Sequence, residues 1–282
     1  MSKEEHYRSR LARQRAASLS GAEPTHSKGK EKPMPDAIVD LGWGRLIFAH
    51  TFRDNRRLAD ALLAELPGKR DIAFYVNDPH VLLAMEPQSL FLDPSHTYRL
   101  WLDRYKVSPL RPRGYTVRLM NSRNDADGIR RVYLSRHMIP PPADFMWNQR
   151  TSRVVYFFVA SDTQTGEVLG AATGIDHVEA FRDPEKGSSL WALAVDPQAR
   201  QPGIGQALVR HMAEYFMARG RSYLDLSVMH NNREAIRLYE RLKFERITVF
   251  TVKNKNSFNE PLFIGTQPQE QLNPYAKIII RE

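Results

Sequence analysis

The sequence predicts an α/β (α+β) protein, a mixed central sheet flanked by helices and preceded by a small α/β unit. Three observations carry that expectation. Apolar runs of strand length alternate with amphipathic helical stretches from Tyr115 to Val252. A glycine turn, Arg200-Gln-Pro-Gly-Ile-Gly205, joins the apolar run 190–195 to a long helical stripe. Upstream, Pro109-Leu-Arg-Pro-Arg-Gly114 reads as a linker between two parts.

Composition narrows the function classes. At 282 residues the chain is long enough for one large or two small domains, and 42% hydrophobic residues can build a core. The chain has no cysteine, which excludes disulfides, a thiol nucleophile and thiolate metal sites, and suits a reducing cytoplasm. No apolar run reaches membrane-spanning length, and the first residues lack an apolar signal core. The formal net charge is +9, of which residues 1–33 contribute four, from eight Lys/Arg against four Glu. Mixed signs and scarce aromatics favour a solvated tail over a nucleic-acid arm. The remaining positive charge suits an anionic cofactor or substrate. His177 and His211 make no metal-ligand spacing, so no metal is expected.

In order, 1–36 reads as a disordered basic tail and 37–110 as the small α/β unit. There, 45–52 is a strand. Asp54 caps a helix carrying Leu58, Ala61, Leu62 and Leu66, which Pro67-Gly68 stops. A strand follows over 71–76, Asp78-Pro79 opens a short helix through Leu83, and Pro94 opens another over 94–102. His50, His80 and His96 read as structural or surface residues. The larger domain spans 111–265. It begins with a strand over 115–120 and a helix over 125–137 with Ile129, Val132 and Tyr133 inward, before Pro140-Pro-Pro142 breaks the chain. Strands 154–160 and 168–175 form a hairpin around the loop 161–166. The strand 190–195 ends at Asp196-Pro197. Leu208, Val209, Met212, Tyr215 and Phe216 form the stripe of the next helix, which Gly220 closes. A strand over 223–229, a helix over 232–242 and a strand over 246–252 follow. Residues 266–282 form a C-terminal extension, ending in an apolar run that suggests the start of a following domain.

A helix that starts at a glycine turn presents unpaired N–H groups backed by the positive end of its dipole, an arrangement suited to phosphate. The glycine spacing matches neither a dinucleotide fingerprint nor a Walker loop.

Two motifs then point to a family. Arg200, Gly203 and Gly205 fit Gln/Arg-x-x-Gly-x-Gly/Ala. Asn232, Ala235, Leu238, Tyr239 and Phe244 fit Asn-x-x-Ala-x-x-Leu-Tyr-x-x-x-Gly-Phe, with Lys243 where glycine is usual. In this order, over roughly 115–265, the chain resembles the GNAT family of N-acetyltransferases. The resemblance implies the GNAT fold, with a V-shaped splay between the strands around 191–195 and 223–229. It also implies acetyl-CoA as cosubstrate, with its diphosphate on backbone N–H groups of Arg200, Gln201, Gly203, Ile204, Gly205 and Gln206. The pantetheine arm would pair with Leu193, Ala194 and Val195, an N–H there facing the thioester carbonyl. Tyr239 would protonate the leaving thiolate. Asn232 would bind pantetheine or water, or cap its helix. The base stays open among Asp176, His177, Glu179, Asp225 and an ordered water.

The order of basic tail, Asp40-Leu-Gly-Trp-Gly44, acetyltransferase region and Leu272-Asn-Pro-Tyr-Ala-Lys-Ile-Ile-Ile-Arg-Glu282 is also similar to the first half of the bacterial N-acetylglutaminylglutamine synthetase family. That resemblance implies a small amine acceptor, glutamine or a glutamine dipeptide, on the way to an osmoprotectant, and a C-terminal ATP-grasp ligase domain as partner. Two other expectations remain beside it: acetylation of protein lysines or N-termini, and a catalytically silent CoA-binding regulatory or docking module.

Overall fold

The computed structural model describes residues 33–107 and 112–256. The tail over 1–32, the first half of the linker (109–111) and residues 257–282, with the extension 266–282, lie outside the described residues. Of the stretch read as a disordered tail, residues 34–36 are held in place. Met34 N–H donates to Phe181 C=O at 2.8 Å, and Asp36 pairs with Arg57.

In chain order the elements are β1 (Ile38–Asp40), β2 (Arg45–Phe48), α1 (Asn55–Leu63), β3 (Ile72–Val76), α2 (Pro79–Met85), β4 (Leu90–Leu92), β5 (Ser95–Trp101) and β6 (Tyr115–Leu119). Then come α3 (Arg123–Ser135), α4 (Ala143–Gln149), β7 (Val155–Asp162), β8 (Val168–Asp176), α5 (His177–Phe181) and β9 (Gly187–Val195). The last are α6 (Ile204–Ala218), β10 (Tyr223–Met229), α7 (Arg233–Arg241), β11 (Glu245–Ile247) and β12 (Phe250–Asn254). Several caps act as their sequence suggests. Asp54 accepts from Arg57 N–H at 2.9 Å, and Gly220, at φ +73°, follows the C-terminus of α6.

The strands form a five-stranded sheet, β1-β2-β3-β12-β4, and a seven-stranded sheet, β11-β5-β10-β9-β8-β7-β6. Three buried clusters stack them. Ile47, Ala73 and Val252 face Leu58, Leu62 and Leu82 of α1 and α2. The opposite face of the small sheet, with Leu46, Phe48 and Phe74, packs with α3 and with Phe157, Ala171 and Trp191 of the large sheet. On the far side of the large sheet, Leu190 and Leu226 pack under Leu208, Met212 and Phe216 of α6 and Tyr239 of α7.

Two local readings are corrected. The stretch 94–102, read as a helix, is strand β5, paired antiparallel to β10 through all seven of its residues. Tyr98 and Leu100 alternate toward α6 and α7, while Arg99 turns to the other face. The stretch 246–252, read as one strand, divides. Glu245–Ile247 pairs with β5, and Phe250–Asn254 crosses to the small sheet between β3 and β4. The stretches read as 37–110 and 111–265 therefore exchange strands, each completing the other's sheet. The helices α4 and α5 fall where the sequence reading placed no element.

Candidate functional site

Strands β9 and β10 run parallel through four rungs, from Gly187–Tyr223 to Leu190–Leu226, and then part. The divergence coincides with a bulge. Ala192 and Leu193 together oppose Ala172 of β8, and Ala192 takes φ +57°. Beyond the bulge, Asp196 N–H donates to Leu169 C=O at 2.8 Å, and Ala194 stands opposite Ala171. By the alternation of an antiparallel ladder, Leu193 and Val195 turn their peptide groups the other way, toward the gap left by β10. One of these groups is occupied: Arg136 Nε donates to Val195 C=O at 2.7 Å. The expected splay is therefore present, opening just above Leu190.

The turn after β9 is pinned by Asp196, which accepts from Gln198 N–H at 2.8 Å and pairs with Arg131. Burial works against the carboxylate's charge, but these donors hold its pKa below the usual range. Gly203, at φ +77°, is the N-cap of α6, and no side chain caps the helix. A Cβ on Gly203 would meet only Tyr115 Oη, at 3.8 Å, while one on Gly205 would touch Val195 and Leu238 at 3.5 and 3.6 Å. The first turn thus lies open above the end of β9. Arg200 is exposed beside it and Gln206 half-buried, whereas the side chain of Gln201 is turned away to donate to Asp162 at 2.7 Å.

Tyr239 lies in α7, only 5% exposed, its ring 5.5 Å from that of Phe244. Its hydroxyl has no hydrogen-bond partner among the described residues, and burial raises its pKa well above that of a free phenol. Asn232 takes the capping role, accepting from Ala235 N–H at 3.1 Å. Lys243 occupies φ +69°, a left-handed position that explains the family's glycine there.

The four side chains considered as bases all sit in buried or paired positions. Asp176 caps α5 and pairs with Arg219 and Arg221, and Glu179 lies against the same two arginines. Asp225 is fully buried; Arg99 grips it through two bonds of 2.8 Å, and Tyr75 Oη donates to it at 2.7 Å. His177 is fully buried with Nε2 at 2.9 Å from Ser189 Oγ. Arg99 and Tyr75 were missed by motif reading, since Arg99 meets Asp225 only through the β5–β10 pairing and Tyr75 reaches it only from the small sheet. The His50 ring packs against Tyr75, Phe181 and Phe48, and this desolvation, followed by the nearby His177, lowers its pKa to about 4. Among the described residues no group of His, Asp and Glu side chains could hold a metal ion, and no helix is long and apolar enough to cross a membrane.

Comparison with known proteins agrees with this geometry. Residues 124–244 match the acetyltransferase (GNAT) family model. Over 62 residues the chain is 39% identical to the ribosomal protein bS18-alanine N-acetyltransferase of Escherichia coli, covering 22% of this chain and 42% of that protein. Over 196 residues it is 26% identical to the mycothiol acetyltransferase of Geodermatophilus obscurus, covering 66% of this chain and 59% of that protein. The matches thus span about half the length of these curated relatives. Among solved structures, a GCN5-related N-acetyltransferase from Kribbella flavida superposes with a TM-score of 0.53 at 14% identity, over 87% of this chain and 95% of that one. That likeness concerns the fold. The bulged, parting strand and the open glycine turn both lie within residues 124–244, the stretch that matches the acetyltransferase (GNAT) family model.

Proposed function

We propose that the protein transfers an acetyl group from acetyl-CoA to a primary amine by direct attack in a ternary complex. The observation that carries this reading is the parting of β9 and β10 above Leu190–Leu226 beside the uncapped start of α6. The backbone N–H groups of Arg200, Gln201, Gly203, Ile204, Gly205 and Gln206 receive the diphosphate, with the helix dipole behind them. The outward peptide groups of Leu193 and Val195 pair with the pantetheine arm, and an N–H within Leu193 to Val195 that faces the gap stabilises charge on the carbonyl oxygen. Arg136 must release Val195 C=O if that group is to pair. Asn232 serves by fixing the start of α7, and so the placement of Tyr239.

In the reaction the amine lone pair attacks the thioester carbon, the C–S bond breaks, and Tyr239 donates its proton to the departing sulfur. A raised phenol pKa keeps that proton in place at neutral pH. The amine's own proton passes to water, since the candidate carboxylates are engaged with arginines. Holding amine and thioester together supplies a large share of the rate.

For the acceptor we favour the α-amine of glutamine or a glutamine dipeptide, in a cytoplasmic enzyme whose full-length form carries a C-terminal ligase. The order of segments along the chain supports it. A protein N-terminus is the second reading, favoured by the 39% identity to the bS18-alanine enzyme. Thiol release from acetyl-CoA, measured with glutamine, glutaminylglutamine, free amino acids and peptides, with mass spectrometry of the products, tests both. Acetyl-CoA binding without thiol release for any amine would overturn the enzyme reading in favour of a docking module.

A further inference from the structure

Trp191 is the first residue of β9 beyond the last rung it shares with β10. Carrying that register one step further sets it opposite Ser227. Both face the small sheet: Tyr75 reaches Asp225, two residues before Ser227, and the Trp191 ring meets Phe74 edge-on at 5.2 Å. The indole is fixed. Its Nε1 donates to Ser189 Oγ at 2.9 Å, and that oxygen lies 2.9 Å from His177 Nε2. Across the fork stands a small side chain, Ser227, whose Oγ donates to Ser95 at 2.8 Å. The apex is therefore walled by one large, immobilised ring and one small residue. Only 8% of Trp191 is exposed.

We propose that Trp191 sets the length of the acyl group, its indole closing the end of the fork so that an acetyl group fits and longer chains do not. This rests on the acetyl-transfer reading and adds a specificity determinant to it. Excluding or admitting one methylene in an apolar pocket is worth roughly 10- to 200-fold. Rigid packing raises the discrimination, because an indole held by Ser189 and Phe74 cannot swing aside.

The test compares acetyl-, propionyl- and butyryl-CoA with the unmodified protein, Trp191→Leu and Trp191→Phe, by calorimetric binding and by thiol release with a fixed amine. In the unmodified protein, butyryl-CoA should bind at least tenfold more weakly than acetyl-CoA. Trp191→Leu should narrow that ratio at least tenfold, with a smaller loss for acetyl-CoA, and Trp191→Phe should lie between. If the leucine variant fails to fold, the phenylalanine variant, which keeps a ring against Phe74, carries the comparison. An unchanged ratio in a folded variant refutes the gauge. So does a rise confined to the KM of the amine, which would put the indole on the acceptor side. Absence of binding by any acyl-CoA to the unmodified protein would instead sink the acetyl-transfer reading itself.

Discussion

Replacing Tyr239 with phenylalanine removes one oxygen atom from a buried ring, and the structure dictates how stability and rate should respond. Deleting a hydrogen-bonded buried hydroxyl commonly costs 1–3 kcal/mol, because the partner is left unsatisfied. Tyr239 has no such partner among the described residues, so Tyr239→Phe should change stability by less than about 1 kcal/mol. For a chain of this size that is a shift in melting temperature of roughly 2–4 °C at most. Tyr133→Phe is the matched control. Its hydroxyl is buried 3.1 Å from Thr173 Oγ1, and losing it should cost about 1–3 kcal/mol while leaving catalysis intact. Turnover should behave in the opposite way. With Tyr239 as the acid that protonates the thiolate, its loss lowers kcat by roughly 10²- to 10⁴-fold. Acetyl-CoA affinity should stay within about twofold, since each tenfold change requires about 1.4 kcal/mol. Because burial raises the Tyr239 pKa, its deprotonation affects the rate only on the far alkaline side of the profile. Thermal unfolding, calorimetric binding and thiol release on the two variants complete the comparison. A folded Tyr239→Phe protein with unaltered turnover would refute the acid role and place the proton source elsewhere.

Two further substitutions probe the turns that frame the site. Gly203→Val puts a β-branched side chain at φ +77°, a conformation costing about 1–2 kcal/mol for an L-residue, and intrudes on the exposed amides. Acetyl-CoA affinity should fall at least roughly tenfold, and a normal dissociation constant by calorimetry would overturn the phosphate cradle. Lys243→Gly relieves a left-handed residue and should raise stability by about 1 kcal/mol without altering kcat, as read by denaturant unfolding; a destabilised protein would contradict the strain at this turn.

Much of the site could be read from residues close in the chain. Turn chemistry and helix starts are local, so Arg200 to Gln206, the cap at Asn232 and the tyrosine at 239 were legible from spacing and motif. Lys243 shows why the motif position matters: the backbone turns left-handed there even with a lysine in place. Pairing choices were not local. The stretch 94–102 begins with Pro94, a residue that often opens a helix, yet it forms a strand because the edge of β10 gives it seven ladder partners and a core for Tyr98 and Leu100. The divided strand after Phe244 has the same origin, since each half finds its partners in a different sheet. Tyr75 and Asp225 are 150 residues apart, and no spacing along the chain announces their bond.

By itself, then, the amino-acid order determined the two motifs, the glycine turn that opens α6 and the position of Tyr239 within its helix. These depend on backbone conformations that a few neighbouring residues dictate. Only the tertiary structure decided which strands lie side by side, where β9 and β10 separate, and that the Trp191 indole just past that point is held by Ser189 and Phe74. Those outcomes reflect burial and hydrogen bonding among segments distant in sequence, where many pairings satisfy the local pattern and packing selects one.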